Sequence, residues 1–347
     1  MDPLSQGALG ASAALSIPTP LAPTGSASAA PPTHRLDVAA MGVLAGMAAD
    51  LDILIRSDVD PLLFLEYHRQ FTHSLVFIPI AALMLGTVFY AFVRRQMRYR
   101  DTVLIAGIAY ATHGLLDACT SYGTLLFWPF SDARIAWNNV SVIDPLFTVP
   151  LFVLVVMALL KKQPLWARMG FAWALVYLSL GVWQHERAVA RGAELALSRG
   201  HTPAAVDAKP SFGNLLLFKT IYEYDDRYYV DAVRVGWQPS VYPGESVAKL
   251  NISKDIPWLD PKSQQAQDIE RFRWFSAGYL AMDPRGEYRI TDIRYSILPN
   301  RVRGLWGIEL NPNAAADTHA AFISTREVDE SKTALFMSML RGLPDKT

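Results

Sequence analysis

The stretch EYHRQFTHSLVFIPIAALMLGTVFYAFV, residues 66–93, sets two kinds of chemistry end to end. Its first part holds Glu66, His68, Arg69, Thr72 and His73, and from Leu75 to Val93 nothing is charged. A spanning helix needs roughly 20 mostly apolar residues, so 75–93 reads as a membrane span with ionisable groups crowded at its mouth. Such groups are costly beside lipid and are kept mainly for function.

Four more stretches have comparable length and apolarity: 36–55, 101–119, 143–160 and 165–184. Residues 1–16 suggest a short sixth helix, re-entrant or interfacial, too short and too rich in Gly and Ser to span. The fold expected is therefore a mostly α polytopic membrane domain of about five transmembrane helices, followed by a small β-rich soluble domain. The boundaries expected are 1–35 for a short helix and flexible linker, 36–184 for the transmembrane metal-site domain, 185–210 for an amphipathic helix and linker, and 211–347 for the β-rich domain. The Pro-, Ser- and Ala-rich residues 17–33 have the composition of a connector. In the last part, 214–224 and 227–237 read as a hairpin turning at Asp225 and Asp226. Residues 272–282 and 287–298 read as a second hairpin across DPRG, and 304–310 as a smaller strand.

Charge orients the expected spans. RRQMRYR (94–100) and KKQPLWAR (161–168) concentrate Arg and Lys and are expected on the cytoplasmic side. Multi-pass placement in a bacterial inner membrane follows, with the metal site and the C-terminal domain on the periplasmic face. Across the whole chain 32 Lys and Arg balance 32 Asp and Glu, which excludes bulk attraction to nucleic acid. The single cysteine, Cys119, excludes an intrachain disulfide and any Cys-x-x-Cys zinc site.

On that orientation the polar groups near the span ends share one membrane face: Asp50 and Asp52, His68 and His73, His113 and Asp117, and Asp144. His113 and Asp117 are four apart and share a helix face. Asp50 and Asp52 are two apart and His68 and His73 five apart, so neither pair suits a regular helix; an unwound end and a bent entry, with Thr72 or Ser74 capping the next span, are expected. Three carboxylates and three histidines without a thiolate form an N/O ligand set suited to zinc or manganese, one ion or two. Arg69 carries the forked donors that match a phosphate. His34, His185, His201 and His319 read as ordinary packed or solvated histidines.

MDPLSQGALGA, GVLAGMAADLDIL (42–54), HRQFTHSL (68–75), THGLLDACTSYGTLLFWPF (112–130) and IDPLF (143–147) together resemble the YdjM-like inner-membrane proteins, described as metal-dependent hydrolases related to zinc-dependent phospholipase C. The resemblance covers about residues 1–160. It implies that His68, His73, His113 and Asp117 are metal ligands. The family's Pro-Asp-x-Asp element keeps Asp50 and Asp52 here but has Ala49 in place of proline, and Gln6 stands where many relatives have a histidine.

The function expected is a membrane-bound hydrolase that activates water at this site against an ester or phosphodiester, in a lipid or other membrane-associated substrate. Asp50, His68, His73, His113 and Asp117 would hold metal, Asp52 would be a further ligand or the general base, Arg69 would position an anionic group, and Asp144 and Thr72 would support them. The rivals are a metal-ion transporter or sensor, and a membrane protein whose metal is only structural. Nothing in the sequence names a partner for the β-rich part.

Overall fold

The computed structural model describes residues 1–17, 33–326 and 328–344. The connector expected at 17–33 lies outside the described residues apart from its end positions. The chain forms two compact units, the first of Met1–Leu54, Tyr67–Val182 and Phe212–Asn214, the second of Ile55–Glu66, Trp183–Ser211 and Leu215–Thr347.

The first unit is helical. Helix α1 (Pro3–Ser16) starts where Asp2 accepts the amide of Ser5 and Pro3 takes the first helical turn, a position where a missing N–H costs nothing. Almost all of α1 is buried. It packs on α2 (Thr33–Met47) through glycines. A Cβ on Gly10 would lie 2.4 Å from the carbonyl oxygen of Gly42, and one on Gly46 would lie 2.7 Å from that of Gln6. Small residues on both helices let the backbones approach this closely. After α2 the chain tightens into a 3₁₀ segment, Ala48–Leu54, then passes through short α3 (Leu63–Tyr67) and a 3₁₀ turn, Phe71–His73. Helices α4 (Phe77–Val93), α5 (Tyr99–Ala118) and α6 (Pro145–Leu160) follow. Their inward apolar faces share a core with α1 and α2, including Leu15, Met41, Phe89, Ile105 and Val155.

This architecture corrects the five-span reading. Among the described residues, only α7 (Pro164–Ser198) is both long and apolar enough to cross a membrane. Residues 63–73 and α4, bent by 81° at their junction, would add a second crossing if they act as one span. Helices α2 and α6 have 15 and 16 residues, roughly 22–24 Å at the usual rise, short of a hydrocarbon core of about 30 Å. Helix α5 has the length but carries Arg100, Asp101, His113 and Asp117. Hydropathy counted apolar residues across places where the helix in fact stops. The multi-pass arrangement, and the assignment of faces drawn from alternating loops, depended on five crossings and fall with them.

The second unit takes in Ile55–Glu66, with most of α3, and the C-terminal part of α7 from Trp183. The expected span at 165–184 and the expected amphipathic helix after it are one continuous helix, which ends before Gly200, whose φ is +77°. Strands β1 (Val206–Pro210), β2 (Leu217–Tyr224), β3 (Arg227–Arg234) and β4 (Ser240–Ala248) form one antiparallel sheet in sequence order. Asp225 and Asp226, at φ 51° and 55°, make the tight β2–β3 turn, with the twist that two-residue hairpins favour. Ala188 of α7 packs with Ala208, Phe218 and Val233 of this sheet. Short α8 (Ile252–Asp255) and α9 (Gln264–Phe275) lead to the second antiparallel sheet, β5 (Leu280–Met282), β6 (Arg289–Asp292), β7 (Trp306–Glu309) and β8 (Ala321–Ser324), and α10 (Glu330–Arg341) closes the unit. The strand expected from 272 is therefore helical as far as Phe275. Ser263 caps the amide of Ala266, and Gln265, Asp268, Ile269 and Phe272 are buried at helical spacing, a pattern that outweighs the aromatic content.

Gly10→Ala should destabilise the first unit by about 1–3 kcal/mol, the cost of overpacking a close contact, although alanine is the better helix former. Thermal or denaturant melts of the detergent-solubilised protein, beside Leu4→Ala at a site 71% exposed, test this. Equal midpoints for the two variants would contradict the close approach.

Candidate metal centre

Asp50 and Asp52 lie on the 3₁₀ segment that follows α2. On an α-helix two residues two apart point nearly opposite ways, whereas at about three residues per turn they are roughly 120° apart, so both can face one centre. The unwinding occurs with Ala49 at the position where the family carries proline. The second arm is the bent entry of the opening stretch. Arg69 has φ +66° and Gln70 is also outside the helical region, which breaks the path between α3 and the Phe71–His73 turn. The third arm is the end of α5, where His113 and Asp117 face inward, fully buried.

Asp52 organises the entry. Its Oδ1 meets His68 Nδ1 at 2.8 Å, while its Oδ2 accepts the backbone N–H of Arg69 at 3.0 Å and the hydroxyl of Thr72 at 2.7 Å. His73 Nδ1 lies 3.2 Å from the same Oδ2 and 3.0 Å from the Thr72 oxygen. The Thr72 proton is already directed at Asp52, so His73 Nδ1 must carry its own proton, and the neutral ring keeps its lone pair on Nε2. His113 Nδ1 lies 2.6 Å from the carbonyl oxygen of Gly46, which can only accept. That fixes the His113 lone pair on Nε2 as well.

The two Nε2 atoms are 3.0 Å apart. Asp50 Oδ1 lies 3.5 Å from His73 Nε2 and 3.3 Å from His113 Nε2, and Asp117 Oδ2 lies 3.2 and 3.7 Å from them. Two lone pairs and two carboxylate oxygens thus converge, an arrangement that is repulsive unless a proton or a metal ion sits among them. Asp117 Oδ2 is buried and accepts no hydrogen bond, although Arg69 Nε lies 3.1 Å away. These residues fit a metal ion: the ligand atoms of Asp50, His73, His113 and Asp117 all lie within 4.8 Å of one another, and Asp50, Asp52 and His68 form a second such group sharing Asp50. The N/O donor set suits a borderline divalent cation.

Charge follows the same logic. Burial alone would raise the Asp50 carboxyl, but the facing imidazoles of His113 and His73, when a proton rather than a cation occupies their Nε2 side, outweigh it and hold the group well below the usual carboxylate range. Asp52 is likewise opposed by burial and held down by His68 and His73. Both are anionic across the physiological range, as ligands must be.

The expected residues are not all in one place. His68 groups with the Asp50–Asp52 pair, not with the four converging atoms, and its side chain is 30% exposed. Arg69 is buried, with its guanidinium on Asp117 and on the Thr120 hydroxyl and over the Tyr122 ring. Thr72 supports Asp52, while Ser74 accepts the amide of Phe77 at the start of α4. Asp144 lies outside both groups: it caps α6 through Leu146 and Phe147 and accepts the Tyr177 hydroxyl at 2.8 Å. Sequence reasoning missed three participants. Gln6, which looked like a lost ligand, donates to Asp117 Oδ1 at 2.9 Å, and the Met1 amine donates to the same oxygen. Gly114 was the third. A Cβ there would lie 2.3 Å from the His73 carbonyl oxygen, and the visible signal was a glycine beside a histidine in mid-helix.

The family model described as YdjM inner membrane protein matches residues 1–188, which include every residue of both groups. No curated protein and no solved structure matches the chain.

Gly114→Ala should favour helix α5 locally by up to about 1 kcal/mol yet push the His73 turn away from it. Metal affinity should fall about 10–100-fold, the usual penalty for disturbing the support of a ligand, while helicity is retained. Titration against a chromophoric chelator, with circular dichroism alongside, measures both. Unchanged affinity would contradict the packing of His73 on α5.

Proposed function

We propose that this chain, which belongs to the YdjM inner membrane protein family, is a metal-dependent hydrolase acting on an ester or phosphodiester of a membrane lipid. The observation that carries the reading is the convergence of His73 Nε2, His113 Nε2, Asp50 and Asp117 beside a His68–Asp52 pair whose histidine is partly exposed. His73, His113, Asp50 and Asp117 would hold the ion, zinc in the first instance and manganese as the alternative. A second ion would take Asp52 and His68 and share Asp50. A divalent ion bound there supplies Lewis acidity and lowers the pKa of a bound water.

The chain's own residues divide the remaining work. Asp52 accepts Arg69 N–H and Thr72 O–H and orients both His68 and His73, so its part is positioning. Where only the first ion is held, His68, with Nδ1 held by Asp52 and its side chain partly exposed, is the group placed to take a proton from the attacking water at the mouth. Arg69 and Gln6 fix Asp117 from behind. Asp50, with its side chain 28% exposed, marks the open side. That openness favours catalysis over a purely structural site, in which all ligands would be closed off.

Metal content by mass spectrometry should give one or two equivalents in the purified protein and loss in both His73→Ala and His113→Ala. His68→Asn should keep at least one equivalent and lower metal-dependent turnover of lipid vesicles about 10²–10⁴-fold, the usual range for removing a general base. Stoichiometric metal without turnover on a broad ester and phosphodiester panel would leave a structural site, and uptake into proteoliposomes would leave a transporter. Metal-free wild type would sink the reading altogether.

A further inference from the structure

The second unit carries an exposed apolar seam that the metal centre does not use. Trp237, in the loop between β3 and β4, is fully exposed, Trp183 is 57% exposed and Leu216 is 37% exposed. An isolated exposed Leu means little, but these three are tied to one helical turn. Arg187 of α7 lies over the Trp183 ring at 4.7 Å and donates to the carbonyls of Val235 at 2.7 Å and Gly236 at 2.9 Å, next to Trp237. Gln184 donates to the carbonyl of Leu215 at 3.0 Å, next to Leu216, and the Val235 amide donates to the Leu216 carbonyl at 2.7 Å. The ends of β2 and β3 are thus stapled to the turn of α7 that begins at Trp183.

That turn has a defined place. The run 165–183 of α7, apolar apart from Arg168, ends at Trp183 and is followed by Gln184, His185, Glu186 and Arg187, and α7 is long and apolar enough to cross a membrane. Nineteen helical residues cover about 28 Å, close to the hydrocarbon thickness, so Trp183 falls at the boundary with the headgroups, where tryptophan is enriched. Arg187 makes no ion pair with a carboxylate among the described residues, so its charge lacks a protein counter-ion. A guanidinium stacked on an aromatic ring, with neutral oxygens but no carboxylate among its partners, keeps a full positive charge that suits a lipid phosphate.

We propose that Trp183, Leu216 and Trp237 form a lipid-binding seam that seats the loop between β3 and β4 in the interfacial layer of the bilayer crossed by α7, with Arg187 facing headgroup phosphates. The occupant is lipid rather than protein because the seam is continuous with the end of the apolar run. It makes the sheet of β1–β4 a membrane-apposed element and requires nothing of the metal centre, so the two readings fail separately.

The test uses the full chain labelled with 5-fluorotryptophan in nanodiscs of phosphatidylcholine and phosphatidylglycerol. Trp237→Phe and Trp183→Phe assign the two ¹⁹F resonances, and Trp237 is exposed enough for its replacement to be tolerated. A nitroxide near the headgroup of a lipid should broaden both signals several-fold, while a soluble gadolinium chelate should leave them nearly unchanged. A Trp237 signal broadened by the chelate and spared by the lipid nitroxide overturns the proposal. Protection from both agents overturns it too, in favour of a protein contact.

Discussion

A carboxylate with no exposure at all, Asp117, is the constraint around which the first unit is built. An unpaired buried carboxylate is too costly to keep, so each neighbouring element contributes something to it. Helix α1 brings Gln6 and the Met1 amine, the bent entry brings Arg69 and His73, and α5 brings His113 one turn away. The glycine-mediated approach of α1 to α2 is what permits this, because Gly46 serves twice: it lets α1 in, and its carbonyl fixes the His113 tautomer. Packing and ligand chemistry are therefore the same contacts.

The division between the two carboxylates of the 3₁₀ segment follows from exposure and partners. Asp52 is almost wholly buried and its oxygens are taken by Arg69, Thr72, His68 and His73. Asp50 is partly exposed and meets the two Nε2 atoms. One residue organises the imidazoles and the other is placed to share a cation with them. A single α-helical continuation of α2 would have separated these roles in space, so the tightening at Ala48 is a condition of the site.

Much of this was legible in the sequence, for reasons that can be located. The five-residue spacing of His68 and His73 and the two-residue spacing of Asp50 and Asp52 both contradicted a regular helix, and the chain bends and unwinds at those places. The four-residue spacing of His113 and Asp117 placed them on one face of α5. What failed was length. Apolar runs were counted through Met47 into the 3₁₀ segment and through the polar end of α5, because hydropathy does not register where hydrogen bonding changes. The role of Gln6 was hidden for another reason: an amide that donates to a buried carboxylate has no spacing rule, and only the fold brings residues 6 and 117 together. In the second unit, the aromatic residues after Arg271 suggested a strand, and the cap at Ser263 with the stripe of Asp268, Ile269 and Phe272 decided for a helix.

That helix also changes how the second unit is to be regarded. Arg271 on α9 donates to Glu66 Oε1 at 2.5 Å and to Asp60 at 3.0 and 2.7 Å, and within its own helix it donates to Asp268 at 2.9 Å. His319 reaches Asp268 from the other side at 2.9 Å. Three carboxylates around one guanidinium are held by the fork geometry that lysine lacks, and Phe64 packs edge-on against Phe322 beside them. Residues 55–66 consequently fold with the β-rich unit, and the chain passes from this clamp directly through Tyr67 into His68. One guanidinium thus decides that a stretch lying in sequence between two parts of the helical unit belongs to the β-rich one.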